Sequence, residues 1–355
     1  MLRIERTLLP HTALTVLARD RSGGLDPLRL KGIMNVVYVT FGQRRIWSGG
    51  RGDCQTGWMK PDGQARALSS LRGLAVGDAF GACFDDAINH GALRSRTLLP
   101  GPWLWTDDTQ MACSIFAVLS THGRIDQEVL ARSFAEHYDI YRRYGPGTSR
   151  ILRLMRQKGY HWRELARQAR EGRGSWGNGA SMRVAPVGAW FADDLDRVVE
   201  EATASAVVTH THPDAVAGAV AVAVAAALFS TQPQQSRSQF LETVAAWTPI
   251  GPVRDKITDA QDIRDAVTAA AELGVGHDTS ALDTVAFCLW VAAHHGHDFA
   301  DACWTAASAG GDSDTTCAII GGIIGAGPVR EVVPPEWFAS CELLPEWATA
   351  AIPLA

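Results

Sequence analysis

Two short acidic patches carry the most chemistry in this chain: Thr106-Asp107-Asp108-Thr109 and Gly311-Asp312-Ser313-Asp314-Thr315. Each crowds two carboxylates and one or two hydroxyls into the first turn of an apolar helix. One carboxylate at such a position is ordinary, because it caps free N–H groups and complements the helix dipole. Either patch alone reads more simply as a capped helix start. The pairing argues for more. Both helices continue into small apolar residues, Met111-Ala112-Cys113 and Ile319-Ile320-Gly321-Gly322, which must be buried. Their acidic ends then face the interior or a cleft, where unpaired carboxylates are costly. Brought together, the two pairs would repel one another unless cations sat between them. Oxygen-only ligands suit hard divalent ions, Mg²⁺ or Mn²⁺, often as a two-metal centre.

Further candidates lie between the patches. Gly174-Ser175-Trp176-Gly177-Asn178-Gly179 places three glycines in a short loop before a small-residue helix start. This is either a plain turn or a nest of backbone N–H groups suited to a phosphate. Trp176 can stack on a base or a ribose. Upstream, residues 142–173 carry ten basic side chains against Glu164 and Glu171. They read as a solvated face or as an attraction for a diphosphate or an acidic partner. Thr209-His210-Thr211-His212-Pro213-Asp214 joins two apolar helices, and His210 suits a polar contact to a ligand better than a metal ligand, since no thiolate cluster matches it.

The elements that must position these residues read almost entirely as helix from about Ala65 onward. Asp126–Arg143 puts Val129, Leu130, Phe134, Tyr138 and Tyr141 on one side and stops at Gly145-Pro146. Helical periodicity recurs at Ser149–Lys158, Asp194–Val208, Asp214–Phe229, Thr258–Leu273, Ser280–His294 and Phe299–Ala307. The expected fold is all-α, ten or more helices around one core. In the helix Ala67–Phe84, Gly73, Gly77 and Gly81 share a face at four-residue spacing. Glycine costs about 1 kcal/mol in a helix interior, so three in register predict another backbone close by. Asp78 and Asp85 lie on and just beyond that helix and are not explained by packing.

Residues 1–65 differ, with Gly/Arg/Asp punctuation and one strand-like run, Met34–Phe41. They read as a small or poorly structured N-terminal extension, either a real accessory segment or in part a mis-assigned start, ahead of a domain over 66–355. The chain has 355 residues, 46% hydrophobic, 20% charged, with net charge −5, enough for a substantial core. Mild acidity gives no reason to expect nucleic acid. The longest apolar run, Ala215–Phe229, is shorter than the ~20 residues a membrane span needs and is expected to be a buried core helix. Seven cysteines without a Cys-x-x-Cys pair speak against a disulfide framework or zinc, and fit a reducing cytoplasm.

Taken in order, these stretches resemble the ADP-ribosylglycohydrolase superfamily, which includes the dinitrogenase-reductase-activating glycohydrolases and the ADP-ribosylhydrolases. The resemblance is carried by Gly73-Leu74-Ala75-Val76-Gly77-Asp78-Ala79-Phe80-Gly81, Trp105-Thr106-Asp107-Asp108-Thr109, Gly177-Asn178-Gly179-Ala180-Ser181-Met182-Arg183-Val184-Ala185-Pro186, Thr209-His210 and Gly310-Gly311-Asp312-Ser313-Asp314-Thr315-Thr316. It covers roughly residues 66–328. It implies an all-helical orthogonal fold and a binuclear Mg²⁺ or Mn²⁺ centre held by Thr106, Asp107, Asp108, Asp312, Asp314 and Thr315. It also implies that the loop Gly174–Gly179 and His210 bind the diphosphate and neighbouring ribose. One departure stands out: Asp85 occupies the place where many members carry a glutamate. The implied activity is removal of ADP-ribose from modified proteins, with Asp107, Asp108 and Asp85 as the catalytic carboxylates. With Asp85 in that place, arginine-linked adducts are favoured over serine-linked ones, because a guanidine protonates readily as it leaves whereas an alkoxide needs a better acid. Two other readings stay open. One is an ADP-ribose-binding or toxin-neutralising protein whose N-terminal extension reaches a partner toxin. The other is a metal-dependent hydrolase of another ribosyl compound.

Overall fold

Gly73, Gly77 and Gly81 lie on the buried face of the first described helix, Gly63–Ala82, and what they face explains them. A Cβ added at Gly73 would sit 2.3 Å from the carbonyl oxygen of Gly321, at Gly77 2.1 Å from that of Cys317, and at Gly81 2.2 Å from that of Ser313. The helix therefore packs antiparallel, backbone against backbone, on the helix Ser313–Gly325. The Ser70 hydroxyl donates to the Gly322 carbonyl at 2.7 Å in the same seam. This close approach fixes the site. Because Gly81 meets Ser313, the C-terminal end of the first helix, with Asp78, is pressed against the acidic start of the other.

This computed structural model describes residues 63–157, 159–328 and 332–350. Seventeen α-helices and three short 3₁₀ turns make up the described residues, and no strand forms among them. The two isolated bridges, Trp103 with Cys341 and Gly177 with Ser280, are local. The expected all-α class is observed. The strand-like Met34–Phe41 and nearly all of the segment 1–65 lie outside the described residues.

The run read as a core helix is one: Pro213–Thr231, in which every residue from Ala217 to Leu228 is buried. A helix apolar all round has no solvent face to keep and belongs inside. Small residues let its neighbours approach; a Cβ at Gly188 of the helix Ala185–Trp190 would meet the Ala223 carbonyl at 1.9 Å.

Several expected helices are shorter than their periodicity suggested; Ser280–His294, for one, begins only at Val285. Thr258–Leu273 is two helices, Pro252–Asp259 and Ala266–Leu273. Asp265 restarts the second as its N-cap, accepting from Thr268 N–H at 2.9 Å. In Asp126–Arg143 the helix is Gln127–His137, capped by Asp126, and a 3₁₀ turn follows at Ile140–Arg142. Tyr138 is buried, whereas Tyr141 is 89% exposed, so the chain turns away before the expected apolar face is complete.

Candidate metal centre and ligand loop

Thr106 occupies the N-cap position of the helix Asp107–His122, but its side chain does not cap it. Its hydroxyl lies 2.9 Å from Asp78 Oδ1 and 3.0 Å from Asp108 Oδ2, and its single proton can go to only one of them at a time. Asp312, at the N-cap of Ser313–Gly325, also makes no side-chain cap bond. Its Oδ2 instead accepts from the Asn178 side-chain amide at 2.7 Å. Neither patch behaves as a plain helix start.

The two patches meet. One carboxylate oxygen from each of Asp78, Asp108 and Asp314 lies within 4.8 Å of the others. Burial pushes the Asp107 and Asp108 carboxyls well above the ordinary range, and the carboxylates of Asp314, Asp78 and Asp312 push the same way. Burial, then Asp314, raises Asp312 to about 8. The same two causes raise Asp78 to about 7, against the pull of its hydrogen bonds. Like charges share a space with too little water to screen them. Asp108 Oδ1 is buried with no hydrogen-bond partner. An all-oxygen set, mutually repelling carboxyls and an orphaned acceptor atom together fit a hard divalent cation.

Asp78 belongs to this cluster in a different capacity. Its Oδ2 accepts from the N–H groups of Thr106 at 2.9 Å and Thr109 at 3.0 Å and from the Thr109 hydroxyl at 2.6 Å. Its Oδ1 faces the Thr106 N–H and hydroxyl. A carboxylate so fully engaged anchors the acidic turn rather than offering lone pairs to an ion. Thr315 is buried beside Asp314, its N–H donating to Asp314 Oδ1 at 2.8 Å. Asp312 is held from behind: its N–H donates to the Val275 carbonyl at 2.9 Å. Gly311 must be glycine there, with φ +75° and a Cβ position 2.1 Å from the same carbonyl.

Asp85 stands at the rim. Its carboxylate pairs with Arg143 at 2.6 Å, its side chain one-third exposed. Burial and Asp314 push it up to about 7, while Arg143 opposes them. Beside it opens a cleft of about 370 Å³ lined by Leu104, Trp105, Thr106, Tyr141 and Arg143 among others. Arg142 braces this wall: its guanidinium stacks 3.4 Å over the Trp105 ring and makes two 2.7 Å bonds to Glu342.

The glycine loop docks on the His210 turn. Gly174, at φ +77°, leaves no room for a Cβ beside Thr211, and Ser175 O accepts from His212 N–H at 3.3 Å. Asn178 N–H donates to Thr279 and Ala281 N–H to Trp176, which ties the loop to residues 279–281. The Trp176 ring is flanked by the guanidinium groups of Arg170 and Arg173, at 4.7 and 5.2 Å from its centre. His210 is buried beneath the loop, its Nδ1 2.7 Å from the Thr209 hydroxyl. His212 caps the helix Pro213–Thr231. The loop thus contacts the acidic centre through Asn178, whose side chain serves Asp312.

A sequence profile of the ADP-ribosylglycohydrolase family matches residues 59–354. The chain belongs to the ADP-ribosylglycohydrolase family. Among its relatives, an uncharacterised protein of Archaeoglobus fulgidus is 35% identical over 79% of this chain and 93% of its own length. Human ADP-ribosylhydrolase ARH3 is 29% identical, with 79% and 91% covered. The ADP-ribosylarginine hydrolase Tri1 of Pseudomonas putida is 25% identical, with 77% and 73% covered. A solved structure titled "ADP-ribosylglycohydrolase-related protein complex" superposes with a TM-score of 0.55 at 23% identity, covering 82% of this chain and 96% of that one. It shows the shared fold.

In this member of the family, the sequence-predicted Thr106, Asp107, Asp108, Asp312, Asp314 and Thr315 lie together, with Asp85 at the edge. The predicted loop and His210 lie together on the Asp312 side. The sequence singled out Asp78 as unexplained by packing but gave it no place in the site, and it missed Asn178's bond to Asp312 and the Arg142–Glu342 brace. Only Asp78 had a signal, an acid on the glycine-striped face of a buried helix.

Proposed function

We propose that this protein is a metal-dependent hydrolase that removes ADP-ribose from modified proteins, with arginine-linked adducts favoured over serine-linked ones. The observation that carries the reading is the convergence of the two acidic patches on one water-poor site. The names of two relatives, an ADP-ribosylhydrolase and an ADP-ribosylarginine hydrolase, support it. Thr106, Asp107, Asp108, Asp312, Asp314 and Thr315 would hold two Mg²⁺ or Mn²⁺ ions. When bound, such ions supply electrostatic grip on ribose hydroxyls and acidify water.

The chain's own residues then have separate tasks. Cleaving the anomeric bond passes through an oxocarbenium-like state and needs an attacking water and help for the leaving group. Asp107 and Asp108 would take the proton of that water as well as help hold the ions, a reading supported by Asp108 Oδ1, a buried acceptor that no protein donor occupies. The loop Gly174–Gly179 and His210 orient the diphosphate, and Trp176 offers a face for the nucleotide. Asp85 can hold a proton near neutral pH and stands at the rim where the acceptor leaves. Its carboxylate is one methylene shorter than a glutamate and is held by Arg143. That limits its help to an alkoxide more than to a guanidine, which protonates readily.

The test is incubation with arginine- and serine-linked ADP-ribosyl peptides, with Mg²⁺ or Mn²⁺ and with chelator. Release that is faster from arginine and stopped by chelator is expected. Release from neither, by folded and metal-loaded protein, removes the reading; faster release from serine overturns the preference. The Arg143–Asp85 pair also favours a second reading, a protein that binds ADP-ribose and turns it over poorly. Tight calorimetric binding without release selects it.

A further inference from the structure

Arg183 is a buried cation that the reaction outlined above does not use. It is wholly buried. Its Nη2 donates to the Ser205 carbonyl at 3.1 Å and to the Thr209 hydroxyl at 3.0 Å. Nη1 lies 3.5 Å from the Met111 sulfur, the guanidinium sits 4.6 Å over the Phe134 ring, and Nε has no partner. Burial pulls Arg183 down only to about 9, with Tyr144 and Asp107 opposing, so it stays a cation at neutral pH. An arginine has five N–H donors and no acceptor.

That asymmetry decides the next link. Toward Arg183 the Thr209 oxygen can only accept. Its own proton then goes to its other partner in the structure, His210 Nδ1 at 2.7 Å. A ring nitrogen that accepts is unprotonated, and in a neutral imidazole the other nitrogen carries the hydrogen. Burial, Arg183 and Arg170 hold His210 down at about 3, so the ring is neutral. The Nε2 edge faces the glycine loop: a Cβ at Gly179 would lie 3.0 Å from Nε2, and one at Gly177 3.3 Å. The absence of side chains there leaves that edge open toward whatever the loop holds.

We infer that Arg183 and Thr209 are positioning residues that lock His210 in its Nε2–H tautomer, making it a neutral donor aimed through the Gly177–Gly179 turn at an acceptor oxygen of the ligand. The direction of the ligand contact rests on the proposed function, in which that oxygen belongs to the diphosphate or neighbouring ribose. The tautomer does not.

Nitrogen NMR of the ¹⁵N-histidine-labelled free protein tests the tautomer, with His210 assigned by the signals lost in His210→Gln. Wild type is expected to show an unprotonated Nδ1 and a protonated Nε2, unchanged from pH 5 to 8. Thr209→Ser keeps that pattern; Thr209→Val loses it, through tautomer mixing or reversal. ADP-ribose binding by calorimetry is expected to weaken about tenfold in Thr209→Val and to recover in Thr209→Ser, the scale of one buried hydrogen bond. A protonated Nδ1 in wild type, or an unaltered pattern in Thr209→Val, overturns the inference. The wild-type spectrum decides even if Thr209→Val fails to fold. Absence of ADP-ribose binding by wild type counts against the proposed function, while the nitrogen shifts still judge the tautomer.

Discussion

Asp78 accepts the Thr109 hydroxyl at 2.6 Å across 31 residues of chain, and this bond, with its three companions from Thr106 and Thr109, holds the acidic turn in place. Asp78→Asn presents an amide N–H₂ where donors already point. Loss of a group that orients ligands typically costs 10–100-fold in metal affinity. Divalent-cation affinity, measured by calorimetry, is expected to fall about 10–100-fold. Unchanged affinity would show that the acidic turn holds itself.

The glycine seam makes a separate prediction. Ala at position 77 would put its Cβ 2.1 Å from the Cys317 carbonyl oxygen, and backbone cannot give way cheaply. Gly77→Ala is expected to destabilise the fold by about 1–3 kcal/mol in denaturant unfolding. It should also weaken cation binding, because spreading the two helices moves Asp78 away from Asp314. Wild-type stability and cation affinity together would contradict a backbone-on-backbone clamp.

The acidic cluster predicts how stability follows pH. Asp78 and Asp312 are raised to about 7 and about 8 in the folded state, against an ordinary aspartate near 3.9 when unfolded. The folded state therefore binds more protons over that interval. Their contribution is fully present below about pH 4 and is lost as pH rises through 7 and 8. Without metal, Tm should fall between pH 5 and 8. Mg²⁺ or Mn²⁺ should restore it, most at the upper end, since ions compete with protons for Asp312 and the neighbouring Asp107, Asp108 and Asp314, and relieve the repulsion that raises Asp78. A metal-induced rise in Tm that shrinks as pH increases would contradict this.

Asp85 is expected to separate chemistry from cation binding. It stands at the rim in an ion pair with Arg143, while the cluster closes around Asp108 and Asp314. Asp85→Asn should lower kcat by about 10²–10⁴-fold, the range for a lost proton-transfer group. Cation affinity in calorimetry should stay within a few-fold of wild type. Equal losses in both would place Asp85 among the metal-holding residues.

What could be read from residues alone follows a physical divide. Helix class, the buried run at Pro213–Thr231 and the meeting of Asp107/Asp108 with Asp312/Asp314 were accessible, because periodicity, small-residue stripes and paired acids are local patterns with one tertiary solution. The glycine stripe implied that another backbone comes close, but not that it is the helix Ser313–Gly325. Asp78's role was not accessible, since one aspartate in a buried helix looks the same whether it binds an ion or accepts four N–H and O–H donors. Asn178 likewise looked like part of a phosphate loop, and only folding shows its amide at Asp312. Arg142 belonged to a basic run, and its bonds to Glu342 depend on a partner 200 residues away.

The central claim is that the two acidic patches together hold divalent cations. A Mn²⁺ titration followed by electron paramagnetic resonance tests it most directly, comparing wild type with Asp314→Asn. Saturable binding of two ions per chain, with loss of at least one in Asp314→Asn, is the result expected. Binding no tighter than that of scattered surface carboxylates, or an Asp314→Asn titration that overlays wild type, would contradict it.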